Sequence, residues 1–504
     1  MRGVESLIRS VNVRIMSGTH LTKLRLRLLI GCILIALTTT VPFSSSANAS
    51  YDIVILNGRV IDPESQLDAI RNIGITGATI KAISKNILSG RVVIDAKGLT
   101  VSPGFIDLHQ HGQNEENYRF KAMDGVTTAL ELEVGTGDVD AWYAERAGKA
   151  FINYGVSAGH LAARMAAMKD KSEFLPTGEA ARRAATPSEI AEMKSRLERG
   201  LQRGALAVGF GIQYVPQASH WEILEMFRVA ARFNASCHVH LRNAGIKEPA
   251  SSVEALEEVI AAASLTGAPL HVVHIASTGG KATPQLLQLI AEARARGLDV
   301  TTECYPYIAG MTEIQSAIFN QGWQEVFGID YGDLQWAATG ERLTKESFER
   351  YRKTGGMVAV FSMTEEIVEA AIRDPLTMIA SDGILDQGKG HPRTAGTYTR
   401  VLGRYVRERG DLTLMEAIRK MTLAPAQRLE RRAPSMKNKG RIRLGADADI
   451  VVFDAQHVID RSTYEDPAKY AEGMKYVLVN GVPVVKDGQL QNGVNPGQPV
   501  RAPY

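Results

Sequence analysis

The chain has 504 residues, 45% of them hydrophobic and 22% charged, the make-up of a soluble globular protein long enough for a large core and two or three domains. A formal net charge of +3, with no basic stripe interleaved with aromatics, argues against nucleic acid as a partner. Three cysteines cannot build a disulfide framework, and Cys237 and Cys304 lie in apolar, strand-like runs that read as reduced core positions.

Lys23, Arg25 and Arg27 precede an apolar run from Leu28 to Leu37, and Ala47-Asn48-Ala49 offers small residues for cleavage. The pattern predicts a Sec-type signal peptide over residues 1–49, a mature start near Ser50, and an exported, periplasmic protein. A run of about ten apolar residues falls short of the ~20 that span a bilayer, so no stable membrane anchor is expected after cleavage. Leu29-Ile30-Gly31-Cys32 has the look of a lipoprotein box, but most of the apolar run follows Cys32, which argues against lipidation.

From Tyr51 to about Thr100 the chain reads as short strands, with Ile53–Leu56 leading into Asn57-Gly58, a dipeptide suited to a hairpin turn. A matching set lies near the C-terminus: Ala448–Phe453, Tyr476–Val479 and a second Asn480-Gly481 pair. Two half-sets at opposite ends predict one small β-sandwich domain assembled from residues 50–102 and 437–504. Between them, strand-like runs at Thr127–Val134, Ala205–Gly209, Ser236–Leu241, Leu270–Ile275, Asp299–Tyr305, Met357–Phe361 and Thr377–Ala380 alternate with helical patterns such as Pro187–Gln202 and Ser252–Leu265. No Gly-x-Gly-x-x-Gly follows an early strand, which argues against a dinucleotide-binding sheet. The prediction is an α/β fold: a (β/α)8 TIM-like barrel over 103–436, with its chemistry at the C-terminal ends of the strands.

The residues that could carry chemistry fall at those ends. Gly104-Phe105-Ile106-Asp107-Leu108-His109-Gln110-His111 puts two histidines one residue apart on an apolar strand, on one face, where two imidazole nitrogens can share a metal ion. His240, His274 and Asp382 each close another apolar run, as do Glu131 and Glu133 after Gly125-Val126-Thr127-Thr128. A polar group at the end of such a run is costly to bury unpaired. One histidine there is unremarkable; four with an aspartate and a glutamate point to a metal site.

With these residues the sequence resembles the amidohydrolase superfamily, and within it the N-acyl-D-amino-acid deacylases (D-aminoacylases), over nearly all the chain beyond the leader. The pieces that carry the resemblance are Pro103–His111, Tyr214-Val215-Pro216, His240-Leu241-Arg242-Asn243, Tyr305-Pro306-Tyr307, and Ser381-Asp382-Gly383 with His391–Tyr398. It implies a hydrolase using one or two Zn²⁺ ions on a small N-acylated amino acid. His109, His111, His240 and His274 would be ligands, and Asp382 both ligand and general base. Arg393, Tyr214, Tyr305, Tyr307 and His160 would contact substrate. The family often bridges its metals with a cysteine after the Gly-Val-Thr-Thr strand. This chain has none there, and Glu133, nearer the strand end, is assigned the bridge, with Glu131 and His238 supporting the ligands from behind. The family's lysine two residues after the fourth histidine is Ala276 here, with Lys281 the nearest substitute. Other amidases of the superfamily, such as a dipeptidase or cyclic-imide hydrolase, are the alternative; a non-catalytic relative would be expected to have lost a ligand.

Overall fold

The computed structural model describes residues 50–503; the expected signal peptide lies outside them. Eight parallel strands follow one another in order around a barrel: β1 (Phe105–Asp107), β2 (Val126–Thr136), β3 (Asn153–Gly159), β4 (Ala207–Gly211), β5 (Ser236–His240), β6 (Leu270–Val272), β7 (Val300–Cys304) and β8 (Thr377–Ile379). β1 and β8 meet just beyond their ends. Asp382 N–H donates to His109 O (2.7 Å), His111 N–H donates to Gly383 O (2.9 Å), and Gln110 pairs with Gly383. The barrel therefore closes at its C-terminal mouth, where the candidate ligands lie.

Helices fill the crossovers, as βαβ connections require. Pro187–Gln202 starts on a capping box, with the Thr186 hydroxyl accepting from Glu189 N–H and the Glu189 carboxylate returning to Thr186 N–H. Ser252–Thr266 is capped by Ser251 and stops at Gly267, whose φ of 74° suits only glycine well. Leu130 and Leu132 turn away from the mouth into an apolar cluster with Leu206, Ala426, Leu429 and Met436. The alternate side chains, Glu131 and Glu133, are left facing the site. Close strand approach needs Gly209: a Cβ there would stand 2.1 Å from Glu133 O.

The strands of both chain ends form one nine-stranded sheet, joined where Thr100–Pro103 pairs with Ile450–Phe453. Its core, including Ile55, Ile73, Val101, Ile450 and Leu478, draws on both ends. The two Asn-Gly pairs diverge. Asn480-Gly481 makes the expected hairpin between Met474–Val479 and Val482–Lys486, whereas Asn57-Gly58 lies inside one long strand, Tyr51–Asp62, at a register shift that uses the positive φ of Asn57 as a bulge. Met357–Phe361 was expected in the barrel; Met357–Val360 is instead the middle strand of a three-stranded antiparallel sheet with Gly310–Glu313 and Leu334–Trp336, inserted between β7 and β8 over the barrel mouth. The barrel strand that takes its place in the count of eight is β3, Asn153–Gly159, whose small and polar residues give no alternating pattern. Among the described residues no helix is long and apolar enough to cross a membrane.

Candidate metal centre

The first and last strands are pinned together by Asp107. Its carboxylate accepts from His109 N–H, Ser381 N–H and the Ser381 hydroxyl, at 3.1, 3.0 and 2.6 Å, with Lys121 Nζ at 2.9 Å. On this brace the Nε2 atoms of His109 and His111 come within 3.2 Å of each other. Glu133, near the end of β2, reaches between two histidine pairs. Its Oε2 lies 2.9 Å from His109 Nε2 and 3.2 Å from His111 Nε2, while Oε1 lies 2.8 Å from His240 Nδ1 and 3.5 Å from His274 Nε2. Asp382 Oδ1 lies 3.1 Å from His111 Nε2. Two groups of ligand-capable atoms result, each within 4.8 Å: His109, His111, Glu133 and Asp382, then Glu133, His240 and His274.

The outward nitrogen of each ring has its own partner. His109 Nδ1 meets Glu303 Oε1 (2.7 Å), His111 Nδ1 meets Glu131 Oε2 (2.6 Å), and His240 Nε2 meets Gln213 Oε1 (2.7 Å). His274 Nδ1 faces the hydroxyls of Ser277 and Thr278 at 3.1 and 3.3 Å. Acceptors behind the rings hold their N–H outward and leave the inner nitrogens as lone pairs, the arrangement that orients metal-bound histidines. Lone pairs converging on carboxylates need a cation between them, so the residues present fit one or two zinc ions.

The electrostatics agree. Burial disfavours charge on His109 and His111, yet the surrounding carboxylates outweigh it and raise both rings well above the ordinary imidazole value. Burial likewise opposes ionisation of Asp382, but Arg393 and the neighbouring histidines hold its carboxyl below the usual range. Two of the side chains come from strained backbone: His274 and Asp382 have φ of 30° and 53°, left-handed values that typically cost about 1–3 kcal/mol in a residue other than glycine.

A cavity opens over this cluster. Tyr214 lies with its ring 4.9 Å from that of His240, and Thr312 donates to its hydroxyl at 3.3 Å. Arg393 Nη2 pairs with Asp382 Oδ2 at 3.0 Å and the guanidinium lies over the Tyr305 ring. Arg393 Nε and Nη1 and the Tyr305 hydroxyl are buried without a protein partner. The outer wall is apolar, with Phe174 and Leu175 on one side and Ile318, Phe327 and Met357 of the inserted segment on the other.

Three expected contacts are corrected. Tyr307 stands behind His391, its ring edge-on to that imidazole, and is not in the cavity. His160 opens a helix immediately after β3 and turns beneath it to Glu222 (2.8 Å), which also pairs with Arg164; this buried trio joins two helices away from the cavity. His238, two residues before His240, lies deeper in the barrel with Nε2 on the Ser236 hydroxyl (3.1 Å) and its ring against His271. Lys281 is exposed and does not line the cavity. The carboxylate behind His109 is Glu303, a residue without a signal in the sequence: it follows Thr301 and Thr302 in a polar strand, whereas Glu131 stands out between Leu130 and Leu132. Its other oxygen meets His271 Nε2 (2.9 Å), and His271 Nδ1 meets the Thr301 hydroxyl (2.7 Å), so a polar column runs down the barrel below the site.

The profile of the amidohydrolase family matches residues 92–485. The chain belongs to this family. The amidohydrolase is 31% identical to N-acyl-D-glutamate deacylase of Alcaligenes xylosoxydans xylosoxydans, over 86% of this chain and 93% of the relative, and 30% identical to D-aminoacylase of the same organism, over 88% and 96%. Among solved structures it is similar to N-acyl-D-glutamate deacylase from Bordetella bronchiseptica complexed with zinc and a phosphonate inhibitor. That structure is 28% identical, with a TM-score of 0.78, over 90% of this chain and all of the other. A D-aminoacylase structure superposes with a TM-score of 0.76 at 28% identity over the same 90% and the whole of its own chain.

Proposed function

We propose that this amidohydrolase removes the acyl group from N-acyl-D-amino acids, and that it does so as an exported, periplasmic enzyme. The observation that carries the reading is the pairing of the Glu133-centred histidine cluster with the unsatisfied Arg393 and Tyr305 donors in one cavity. His109, His111, Glu133 and Asp382 would hold one zinc ion, and Glu133, His240 and His274 a second. Bound zinc supplies Lewis acidity toward the amide carbonyl and lowers the pKa of water to about 7.

The chain's own groups do the rest. Arg393 offers two buried N–H directions to the substrate carboxylate, with the hydroxyls of Tyr305 and Tyr214 beside it, fixing the amide over the cluster. Asp382 lies between that carboxylate site and the histidines. It can accept a proton from the attacking water and return it to the amine as the C–N bond breaks, so that water and amide become a carboxylic acid and an amine. Arg393 pairs with one Asp382 oxygen only, which leaves Oδ1 toward the cluster for this transfer. Among the described residues Arg393 is the single Lys or Arg lining the cavity, so the apolar outer wall suits an uncharged side chain and acyl group.

Support for the D configuration comes from the relatives. The test is hydrolysis of paired N-acetyl-D- and N-acetyl-L-amino acids, with metal content measured on the same sample. Release of D-amino acids by zinc-loaded protein, with little from the L-series, is expected. Zinc-loaded protein inert toward every D-substrate would remove this reading.

A further inference from the structure

The opposite mouth of the barrel holds a second cavity, at the N-terminal ends of β7 and β8 beside the helices Leu414–Met421 and Leu423–Leu429. Catalysis in such barrels gathers at the other face, so this cavity is separate from amide hydrolysis. Its lining contributes Arg294, Arg419, Lys420, Arg428 and Arg431 against one carboxylate, Asp299. Arg428 occupies that carboxylate with both terminal nitrogens, at 2.7 and 2.8 Å. Among the described residues the other four cations form no ion pair. Lys420 Nζ is held at the cavity floor by backbone oxygens, Asp374 O and Thr377 O.

This density of charge is local. The leader's Arg2, Arg9, Arg14, Lys23, Arg25 and Arg27, against Glu5, more than account for the net +3, so the rest of the chain is slightly acidic. A second, independent feature points to a ligand. Arg428 Nε and the Thr377 hydroxyl are buried polar atoms with no partner, on residues only 9% and 1% exposed, and both residues line this cavity. An orphaned polar atom at such depth is costly unless something bonds it. Planar guanidinium groups beside a hydroxyl suit the oxygens of a tetrahedral anion, and several uncompensated cations favour more than one negative charge. These charges line a cavity and not a flat face, which suits a small solute over an extended anionic surface.

We propose that this cavity binds a small multivalent oxyanion of the phosphate class, free or carried as a phosphate monoester. The test is calorimetric titration of the zinc-loaded enzyme with inorganic phosphate, pyrophosphate and glycerol phosphate at fixed ionic strength. Anions can also contact the metal centre, so the titrations are repeated on two variants. The Arg419→Gln/Arg431→Gln double variant alters the exposed rim; Thr377→Val removes the orphaned hydroxyl while keeping the shape. Saturable binding is expected, weakened about tenfold or more in the double variant and less in Thr377→Val, and falling with added salt, while deacylation stays unchanged. Tighter binding of glycerol phosphate than of phosphate identifies an ester as the ligand, and the reverse identifies the free ion. Equal affinity in the wild type and both variants places the anion elsewhere and overturns the proposal. So does the absence of saturable binding by the wild type, or association with anionic phospholipid vesicles alone.

Discussion

Glu303 gives the sharpest test of the metal centre, because it touches the cluster only through His109. Its carboxylate is 1% exposed and takes an N–H from each of two rings, His109 Nδ1 at 2.7 Å and His271 Nε2 at 2.9 Å. Burial pushes its carboxyl up, but the bond from His109 and the nearby charge outweigh burial and hold it at about 2, so it is ionised at any working pH. In Glu303→Gln one oxygen becomes an NH₂, and one ring N–H then faces a donor. If that ring is His109, it escapes only by moving its proton to Nε2, the nitrogen that faces Glu133 and His111; if it is His271, His109 keeps an acceptor but loses the charge behind its N–H. A hydrogen bond to a charged group is worth about 1.5–3 kcal/mol, or about 10–100-fold in an equilibrium, which matches the usual cost of losing a partner behind a metal ligand. Zinc affinity measured by chelator competition should therefore fall about 10–100-fold in a variant whose circular dichroism is that of the wild type. A folded Glu303→Gln protein within about twofold of wild-type zinc affinity would refute the claim that this carboxylate orients His109.

Asp382→Asn should fold and keep zinc, since asparagine tolerates the left-handed backbone at this position, yet lose at least about a hundredfold in turnover. Near wild-type turnover by the metal-loaded variant removes Asp382 from proton transfer. Glu133→Ala takes away the one carboxylate shared by both histidine pairs and should lower zinc stoichiometry and activity together. Glu131→Ala removes the partner of His111 Nδ1 and of two backbone N–H groups, and should cost stability, about 1–3 kcal/mol, and weaken zinc affinity as loss of the partner behind His109 does, while the stoichiometry at saturating zinc is kept. Metal analysis and thermal melts on the pair decide, and the reverse pattern moves the bridge to Glu131. Away from the site, burial raises the Glu222 carboxyl, but the His160 hydrogen bond and the charges of His160 and Arg164 bring it below its ordinary 4.5. A folded value below the unfolded one means stability that is present above pH 4.5 and lost as pH falls through the folded value. Glu222→Gln should lower the Tm at neutral pH, with the gap closing under acid; a gap constant from pH 7 to about 3 would contradict this pairing.

The local pattern of the chain already determined a good deal. Alternation along a strand assigns faces, so the spacing of His109 and His111, or of Glu131 and Glu133, places each pair on one side whatever surrounds it. Helix limits such as Pro187–Gln202 are likewise local, because cap, proline and stop residue all lie within the segment. Depth and direction are not local. His160 and His238 look like the ligand histidines in sequence, yet one turns under its own helix to Glu222 and the other lies a layer below the cluster on Ser236. Tyr305 and Tyr307 share a motif, but only Tyr305 enters the cavity, because the ring of Tyr307 is packed away from it against His391, Tyr464 and Arg400. The support of His109 by Glu303 spans 194 positions and exists only because β7 closes around to face β1 across the barrel. Sequence spacing fixes which side of a strand a group leaves from; which other group it meets depends on strands brought together by burying their apolar faces, and only the closed barrel sets that distance.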